Sequence, residues 1–473
     1  MADGAQAELV VVGAGPGGYA AAFLAADLGL DVTLIDPEPN PGGVCLYRGC
    51  IPSKALLHVA KLIGEARQAA SWGVTFGEPR IDLERLRGFK QGVVERLTRG
   101  LGELARKRKV EHLRGRARFT APDRLTVEAN DGRRSALGFR HAIIATGSRP
   151  VQPAGFPENT ELLLDSTGAL DLPDVPRRLL VVGGGYIGLE LGSVYAALGS
   201  EVSLVEMTDG LLPGVDRDLV RPLANRLGRE LSSIRLATKV VEMTPDGDGL
   251  RVRLESGDGE SVEQRFDRAL VSVGRRPNSE QLGLEQTAVV VGESGFIQVD
   301  EQLRTAEPTI FAIGDVVGQP MLAHKASHEG RTAVEAIAGH KVAFEPAAIP
   351  AVVFTDPEVA WCGLTEDQAK AEGRKVSIAR FPWGASGRAL TLDRDDGLSK
   401  LVIDGESERI LGVGLVGAGA GELIAEGVLA VEMGAVAADV KLTIHPHPTL
   451  SETMMEAAEV FYGQSTHVYR PKR

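Results

Sequence analysis

Two cysteines, Cys45 and Cys50, stand close together in the segment GGVCLYRGCIPSKALLH, although the chain of 473 residues contains only 3 cysteines. A disulfide requires Cα atoms about 4.4–6.8 Å apart. Residues five apart are separated by roughly 8–9 Å in a helix and by roughly 16 Å in a strand. The two cysteines can therefore pair only across a distorted turn, which Gly49 makes feasible. A disulfide strained by a bent loop is more easily reduced, so the pair is a candidate redox centre.

A helix is predicted to begin at or beside Cys50, because Pro52 is typical of a first helical turn and SKALLHVAKLI has helical apolar spacing. A helix N-terminus lowers the pKa of a nearby thiol, and Lys54, one turn further on, would add positive charge. Two alternatives remain, a buried pair of free thiols and a metal site. The metal site is less favoured because the third cysteine, Cys362, stands alone and is expected to lie in the core.

A repeated pattern surrounds this segment. The stretches LVVVGAGPGGYAAAFLAADLGLDVTLID and LLVVGGGYIGLELGSVYAALGSEVSLVE align without a gap, and each predicts a strand, a glycine turn, a helix and a second strand. A single GxGxxG can be an ordinary turn, but here strand, helix and terminal acid accompany it twice. The matching residues are Gly13, Gly15, Gly18 and Asp36 in the first copy and Gly183, Gly185, Gly188 and Glu206 in the second.

Each copy has the properties of a dinucleotide site. The first glycine makes the turn, the second lets the backbone approach a pyrophosphate, and the third lets helix and strand pack closely. The helix N-terminus attracts phosphates, and the terminal acid accepts hydrogen bonds from ribose hydroxyls. Glu206 would repel a 2′-phosphate and no arginine follows it closely, which favours NAD over NADP. The sequence thus predicts two nucleotide ligands in two domains.

Composition excludes several other classes. A net charge of −12 argues against a nucleic-acid surface, which needs basic patches. The apolar stretch ELIAEGVLAVEMGAVAADV contains Glu426 and Glu432 and does not predict a membrane span. The first residues lack a basic region and enter a strand pattern by Leu9, so we expect no signal peptide. The low cysteine content favours a cytoplasmic location.

The cysteine segment resembles the redox-active disulfide motif of the pyridine nucleotide–disulfide oxidoreductases. Further motifs resemble this family in the same order: VVGAGPGGYAAA, AIIATGSRP (142–150), VSVGRRPN (271–278), TIFAIGDVVGQPMLAHKASHEG (309–330) and HPHPTLSE (445–452). The similarity is greatest to flavoproteins that oxidise a protein-bound dihydrolipoyl group with NAD⁺. One departure lies between the cysteines, where Tyr47 and Arg48 replace the smaller or apolar residues expected, and Arg48 would either tune the thiolate or reach solvent.

The resemblance implies FAD and NAD as cofactors. Asp36 would bind the FAD ribose, and Gly314 and Asp315 would hold the flavin side. The other implied FAD contacts are Lys54, Ala117, Thr146, Gly147, Ser148, Met321, Leu322, Ala323 and His324. The implied NAD site adds Val240 and Gly274 to Glu206 and the second glycine motif.

The resemblance also implies catalytic roles. Cys50 would lie next to the flavin and Cys45 would exchange with substrate. Lys54 would sit near the flavin N5 and pair with Glu190.

A base for the dithiol is implied at the C-terminal motif. His447 would be the acid–base, oriented by Glu452, and both would come from the partner subunit of an obligate homodimer. The residues alone support this less strongly: a histidine is the natural base for a thiol, but His447 would otherwise be taken for a surface loop histidine, and His445 competes with it.

The implied reaction is oxidation of dihydrolipoamide through the Cys45–Cys50 disulfide and FAD, with NAD⁺ as final acceptor. The implied partners are the lipoyl domains and acyltransferase core of a 2-oxo-acid dehydrogenase complex, or the lipoyl protein of glycine cleavage. Two alternatives are an NAD(P)H-dependent reductase of another disulfide and a non-catalytic FAD-binding redox or assembly protein. A mercuric reductase is disfavoured because no cysteine follows Cys362.

The motif order predicts an α/β fold with two Rossmann-like FAD- and NAD-binding domains and a C-terminal α+β dimerisation domain. We expect the FAD-binding part at 1–150, the NAD-binding domain at 151–278, a central segment returning to FAD at 279–350, and the dimerisation domain at 351–473. A Gly- and Pro-rich linker is expected from Gly147, a solvated basic helix from Arg96 to Phe119, and two helical stretches after Ile349.

Overall fold

The first glycine-containing unit forms the centre of a seven-stranded sheet in the computed structural model, which describes residues 6–157 and 160–469. The strands of this sheet are β1 (Gln6–Val12), β2 (Val32–Ile35), β3 (Glu111–Leu113), β4 (Gly115–Ala121), β5 (Arg124–Ala129), β6 (Arg134–Ile144) and β17 (Ile310–Ala312). Their order is β3-β2-β1-β6-β5-β4, and β17 also pairs with β6. Strand β6 runs parallel to β1 and antiparallel to β5, so it joins a nucleotide-binding half to a hairpin.

In the described part of the chain, five helices accompany the strands of this sheet. They are α1 (Pro16–Asp27), α2 (Gly43–Arg48), α3 (Cys50–Gln68), α4 (Leu83–Lys107) and α8 (Ala323–Ile337). Helices α1 and α8 pack on each other, and the central strand β1 is apolar on both faces, with Leu9, Val10 and Val11 fully buried. Continuous apolar strands are typical of a parallel sheet covered on both sides. The predicted helix at Cys50 is confirmed, because α3 begins at that residue.

The second unit repeats this plan. Its parallel sheet has the order β11-β10-β9-β15-β8, formed by β8 (Leu163–Leu164), β9 (Arg178–Val182), β10 (Glu201–Val205), β11 (Ser233–Arg235) and β15 (Arg268–Val271). Its helices are α5 (Ser166–Asp171), α6 (Tyr186–Leu198) and α7 (Arg217–Glu230). An antiparallel sheet of β12 (Thr238–Asp246), β13 (Gly249–Ser256) and β14 (Ser261–Phe266) is inserted before β15.

Two predictions about connections need correction. The basic stretch is helical only to Lys107; after it, Lys109 has a φ of 58°, which a helix does not allow, and β3 and β4 follow in the first sheet. The expected linker contains a strand, β7 (Ser148–Pro150), which pairs with β16 (Arg275–Pro277). Its residues Glu158 and Asn159 lie outside the described part of the chain.

The C-terminal region is an antiparallel sheet with helices. The sheet order is β18-β19-β22-β21-β20, formed by β18 (Ala351–Val353), β19 (Glu358–Gly363), β20 (Val376–Pro382), β21 (Leu398–Asp404) and β22 (Ile410–Gly417). Its helices are α9 (Glu366–Ala371), α10 (Gly387–Thr391), α11 (Ala420–Glu432), α12 (Ala437–Leu442) and α13 (Glu452–Phe461). The prediction of two helical stretches was wrong, because the structure has these five helices among the residues that it describes. The sequence did not indicate α9, α10 and α12, because each has only five or six residues, too few to show a helical period.

A buried cation joins this sheet to the second nucleotide unit. Lys400 on β21 is 1% exposed, and its Nζ lies 2.8 Å from a carboxylate oxygen of Asp216 and 2.7 Å from one of Glu366. Cys362 is buried in the C-terminal core, as predicted. In the described part of the chain, no helix combines the length and the apolar character that crossing a membrane requires.

Candidate active site

The two glycine motifs have the same geometry. Gly13 has a φ of 101° and Gly183 a φ of 108°, a backbone that side chains rarely adopt. A Cβ on Gly18 would lie 1.9 Å from the carbonyl oxygen of Gly13. The corresponding Cβ on Gly188 would lie 2.1 Å from that of Gly183. These glycines therefore shape the turn and the packing of helix on strand.

The middle glycine of each motif faces open space. A Cβ on Gly15 or on Gly185 would meet no atom within 4 Å, and these residues precede α1 and α6 directly. The free N–H groups of each helix start are thus accessible to a phosphate. Both loops have the shape that a dinucleotide pyrophosphate requires.

The terminal acids brace these loops. Asp36 accepts hydrogen bonds from the N–H groups of Ala14 (2.8 Å) and Glu38 (2.9 Å). Glu206 accepts them from Gly184 (2.6 Å) and Thr208 (2.7 Å). Both carboxylates are 8% exposed, so each is fixed beside its glycine loop, where the predicted ribose would lie.

A cavity of about 740 Å³ begins at the first glycine loop. Most residues predicted to contact FAD line it: Gly13, Gly15, Asp36, Lys54, Ala117, Thr146, Gly147, Ser148, Gly314, Asp315, Met321 and Ala323. Cys45, Cys50 and Glu190 also line it. Its volume is typical of a cofactor site, and its glycine loop and buried acid fit the adenosine diphosphate part of FAD.

Three residues predicted as FAD contacts lie outside this lining. Gly18 packs under the loop as described above, Leu322 precedes α8, and His324 forms a hydrogen bond of 2.7 Å with the carbonyl oxygen of Pro350. The residues predicted for NAD lie in the second unit instead. There Val240 lies on β12, and Gly274, with a φ of 131°, connects β15 to β16.

The cysteine pair joins two helices on the cavity wall. Cys45 lies in the short helix α2, Gly49 interrupts the chain, and Cys50 is the first residue of α3. A Cβ on Gly49 would lie 2.9 Å from the carbonyl oxygen of Val44, so only glycine allows this close turn. No disulfide joins the two sulfur atoms in the structure, so the contacts of the pair are those of the dithiol.

The two thiols differ in acidity. A hydrogen bond from the Cys45 thiol lowers the pKa of Cys50 to about 7, against the effect of burial and with the help of the Lys54 charge. The same hydrogen bond, together with burial, raises the pKa of Cys45. Reduction of the pair therefore places a thiolate on Cys50 and a protonated thiol on Cys45.

Lys54 is held in place from the second nucleotide unit. Its Nζ lies 2.9 Å from Oε2 of Glu190, a buried residue of α6. Glu190 also accepts a hydrogen bond of 3.0 Å from the N–H of Phe354, and Lys54 lies 4.5 Å from the centre of that ring. This cluster connects the cysteine helix, the second unit and the C-terminal sheet at one point.

The C-terminal motif forms a separate histidine–glutamate pair. Nδ1 of His447 lies 2.9 Å from Oε1 of Glu452, and the other carboxylate oxygen accepts 2.8 Å from the N–H of Thr449. Burial opposes ionisation of Glu452, but these hydrogen bonds lower its pKa. With the proton on Nδ1, His447 keeps Nε2 free, and its side chain is 76% exposed.

His445 differs from His447 in its contacts. Its side chain is 5% exposed, and Nε2 lies 2.7 Å from Glu426. Nδ1 lies 2.9 Å from the carbonyl oxygen of Thr443, so both ring nitrogens are engaged. Among the two histidines of this loop, only His447 offers a free nitrogen to a substrate.

Several residues of the cavity wall were not predicted from the sequence. Tyr186 follows the open Gly185, and Arg275 donates to Ser148 Oγ at 2.7 Å. That hydroxyl in turn donates to Asp315 at 2.5 Å, so Arg275 fixes a predicted FAD contact. The GRRPN motif was noted, but these contacts depend on the pairing of β7 with β16.

Arg48 and Tyr47, the departures between the cysteines, both contact the loop after β2. Arg48 forms an ion pair with Glu38, and both line the cavity. The Tyr47 hydroxyl donates to the carbonyl oxygen of Asn40 at 3.1 Å. Arg48 therefore faces the first nucleotide site, whereas the pKa of Cys50 is lowered mainly by the Cys45 hydrogen bond and by the Lys54 charge.

Comparison with known proteins agrees with this geometry. The sequence model of the family described as Pyridine nucleotide-disulphide oxidoreductase matches residues 7–330. The model of the dimerisation domain of the same family matches residues 349–458, which include His447 and Glu452.

Named relatives cover the chain from end to end. Dihydrolipoyl dehydrogenase of Vibrio cholerae is 47% identical over 472 residues, covering 100% of this chain and 99% of the relative. The protein of the same name from Haemophilus influenzae is 48% identical over 472 residues, covering 100% of this chain and 98% of the relative.

Solved structures share the fold. The crystal structure of LpdA from Mycobacterium tuberculosis superposes with a TM-score of 0.88 at 27% identity, covering 97% of this chain and 100% of that one. The Cu(II) complex of RclA, a HOCl-induced flavoprotein disulfide reductase from Escherichia coli, gives 0.86 at 27% identity, covering 96% and 99%. The chain belongs to the pyridine nucleotide-disulphide oxidoreductase family.

Proposed function

We propose that this protein is an FAD-containing enzyme that oxidises dihydrolipoamide to lipoamide and reduces NAD⁺. One observation carries the proposal: a cysteine pair at a helix N-terminus lies on the wall of the cavity that starts at a dinucleotide loop. The full-length relatives named dihydrolipoyl dehydrogenase support the choice of substrate. Glu206 supports the choice of NAD⁺, since a buried carboxylate beside the second glycine loop would repel a 2′-phosphate.

The order of attack follows from thiol acidity. A substrate thiolate attacks the disulfide at Cys45, and the S–S bond breaks with its electron pair going to Cys50. Cys50 is the better leaving group because the helix N-terminus and Lys54 stabilise its thiolate. The second substrate thiol then attacks the substrate sulfur of the mixed disulfide, which closes the lipoamide ring and releases Cys45.

A base must take the protons that the substrate thiols lose. His447 is suited to this because Glu452 holds Nδ1 and leaves Nε2 free. Its side chain is exposed and lies outside the cavity lining of its own subunit. We therefore infer that His447 of the partner subunit completes the dithiol site, so that the active form is a homodimer.

FAD, when bound, supplies the two-electron chemistry that links the dithiol to NAD⁺. The residues that would hold it are Asp36 and the first glycine loop at one end and Asp315, Lys54 and Cys50 at the other. Lys54 is held in place by its ion pair with Glu190. These residues would therefore hold the cofactor beside the cysteine pair.

The proposed substrate is a lipoyl group carried on another protein. The partners would be lipoyl domains and the acyltransferase core of a 2-oxo-acid dehydrogenase complex, or the lipoyl protein of glycine cleavage. The low cysteine content fits a cytoplasmic location. A second candidate, an NAD(P)H-dependent reductase of another disulfide, is favoured by the similarity to the RclA structure.

The experiment compares Cys45→Ser with Cys362→Ala as matched control, because Cys362 is a buried core thiol. Dihydrolipoamide-dependent NADH formation and bound FAD are measured for both variants. We expect Cys45→Ser to keep FAD and lose turnover, while Cys362→Ala keeps both. Turnover by Cys45→Ser close to that of the unaltered protein would contradict the disulfide route.

A further inference from the structure

Arg48 has contacts that the proposed reaction does not use. It is the last residue of α2, forms an ion pair with Glu38, and lines the cavity. Its Nε is buried and lacks a hydrogen-bond partner among the described residues. Buried donors in folded proteins are normally paired, so this Nε is available to an acceptor that the chain itself does not provide, although the side chain as a whole is 38% exposed.

The position of α2 identifies the end of the cavity that Arg48 faces. The first residue of α2, Gly43, packs so closely on the glycine loop that its Cβ would lie 2.5 Å from the Cα of Gly15. The preceding N–H, of Gly42, donates to the carbonyl oxygen of Ala14 at 2.8 Å. Helix α2 is thus fixed to the loop that would hold the pyrophosphate.

The partner of Arg48 belongs to the same end. Glu38 follows Asp36 by two residues, and its N–H donates to the Asp36 carboxylate. Burial raises the pKa of Asp36, and the charges of Arg48 and Arg116 are among those that oppose this rise, as expected of nearby guanidinium groups. The charge of His112 opposes it too, so the carboxylates of Asp36 and Glu38 lie near a histidine and two guanidinium groups before any ligand is added.

A diphosphate would add negative charge beside Asp36 and Glu38. A guanidinium group is the side chain best suited to compensate it, because it is always charged and can donate two parallel hydrogen bonds to phosphate oxygens. Glu38 pre-orients the guanidinium group toward the cavity but occupies only part of its five donors. Tyr47, the residue before Arg48, holds the same loop through its hydrogen bond to the carbonyl oxygen of Asn40.

We propose that Arg48 is a cofactor-binding residue that contacts the adenosine diphosphate half of FAD. The proposal rests on the proposed function only in taking FAD as the ligand. Glu38 is a positioning residue for this contact. The charged residue between the two redox cysteines thus helps to retain the cofactor, whereas Lys54 and the N-terminus of α3 act on the thiols.

The test measures FAD binding by three apoproteins, Arg48→Gln, Glu38→Gln and Arg118→Gln, against the unaltered apoprotein. Arg118 is the matched control, because it forms an exposed ion pair of 2.9 Å with Glu285 and lies outside the cavity lining. Flavin fluorescence gives the dissociation constant of FAD. Competition by ADP for FAD uptake gives the affinity for the adenosine diphosphate half alone.

We expect Arg48→Gln to weaken both FAD and ADP binding by roughly 10- to 100-fold, the loss typical of a charge-assisted hydrogen bond. Arg118→Gln should stay within about twofold of the unaltered protein, since exposed ion pairs contribute little. Glu38→Gln should weaken FAD binding less than Arg48→Gln, because it loses only the ion pair that orients Arg48, while Arg48 itself remains.

Three results would overturn the proposal. The first is that Arg48→Gln binds FAD as tightly as Arg118→Gln, and the second is that Arg48→Gln binds ADP as tightly as the unaltered protein. The third is that Arg48→Gln and Glu38→Gln weaken FAD binding equally, because Arg48 would then only support the loop. If circular dichroism shows that Arg48→Gln does not fold, Arg48→Lys replaces it in the test. Arg48→Lys should bind FAD several-fold more weakly than the unaltered protein, and an unaltered affinity would contradict the proposal. NADH formation by the control variant Arg118→Gln tests the proposed function separately, because Arg118 lies outside the cavity lining and this variant should retain the activity.

Discussion

The acidity of Cys50 should depend on the hydrogen bond that it receives from Cys45. Replacing Cys45 by alanine removes this donor, and replacing it by serine retains one. A hydrogen bond to a charged group contributes about 1.5–3 kcal/mol. At about 1.36 kcal/mol per pH unit, its loss should raise the pKa of Cys50 by roughly one to two pH units, from about 7 toward its ordinary value of 9.0.

The assay is the rate of alkylation of Cys50 as a function of pH, followed by mass spectrometry. In both variants the other remaining cysteine, Cys362, is 2% exposed, so the modified thiol is Cys50. A lowered pKa favours the thiolate, so the rate should rise with pH to a plateau, with its midpoint near pH 7 for Cys45→Ser. The midpoint for Cys45→Ala should lie roughly one to two pH units higher. Identical midpoints for the two variants would refute the reasoning.

Three further predictions concern the base, the nucleotide preference and the buried cation. His447→Gln should lower kcat roughly 10²- to 10⁴-fold. Glu452→Gln should lower kcat less, because the imidazole of His447 remains. Both predictions are checked by steady-state rates, with the FAD content of each variant measured in parallel. Glu206→Ala should lower kcat/KM for NAD⁺ about tenfold or more, because it removes the acceptor for the ribose hydroxyls. It should also reduce the preference for NAD⁺ over NADP⁺, because it removes the negative charge. An unchanged ratio of kcat/KM for NAD⁺ to kcat/KM for NADP⁺ would contradict the proposed role of Glu206. Lys400→Met should reduce the free energy of unfolding by about 3–5 kcal/mol, because it leaves the carboxylate of Asp216 buried without this cation. Urea denaturation measures the change, and an unchanged urea midpoint would contradict the prediction.

Local patterns predicted much of the fold. The glycine motifs and their terminal acids specified two strand–helix–strand units, and the structure contains both with matching loop geometry. The helix at Cys50 was predicted because proline and apolar spacing are local signals. Short elements such as α9 and α10 were missed because five or six residues contain less than two helical turns.

Contacts between distant parts of the chain could be predicted only where the family resemblance implied them. Lys54 and Glu190 are 136 residues apart, and no periodicity predicts that they meet. The residues alone left His445 and His447 as competitors, and the structure distinguishes them by which ring nitrogen stays free. The role of Arg48 could not be assigned from the sequence, because the direction of its side chain depends on how α2 packs against the loop after β2.

The most direct test of the central claim is NADH formation from dihydrolipoamide by the purified protein with bound FAD, run in parallel with NAD⁺ and NADP⁺. We expect strong turnover with NAD⁺ and little with NADP⁺, because the relay needs the cysteine pair and Glu206 sets the nucleotide preference. No turnover with either nucleotide, in a protein that retains FAD, would contradict the dihydrolipoamide assignment.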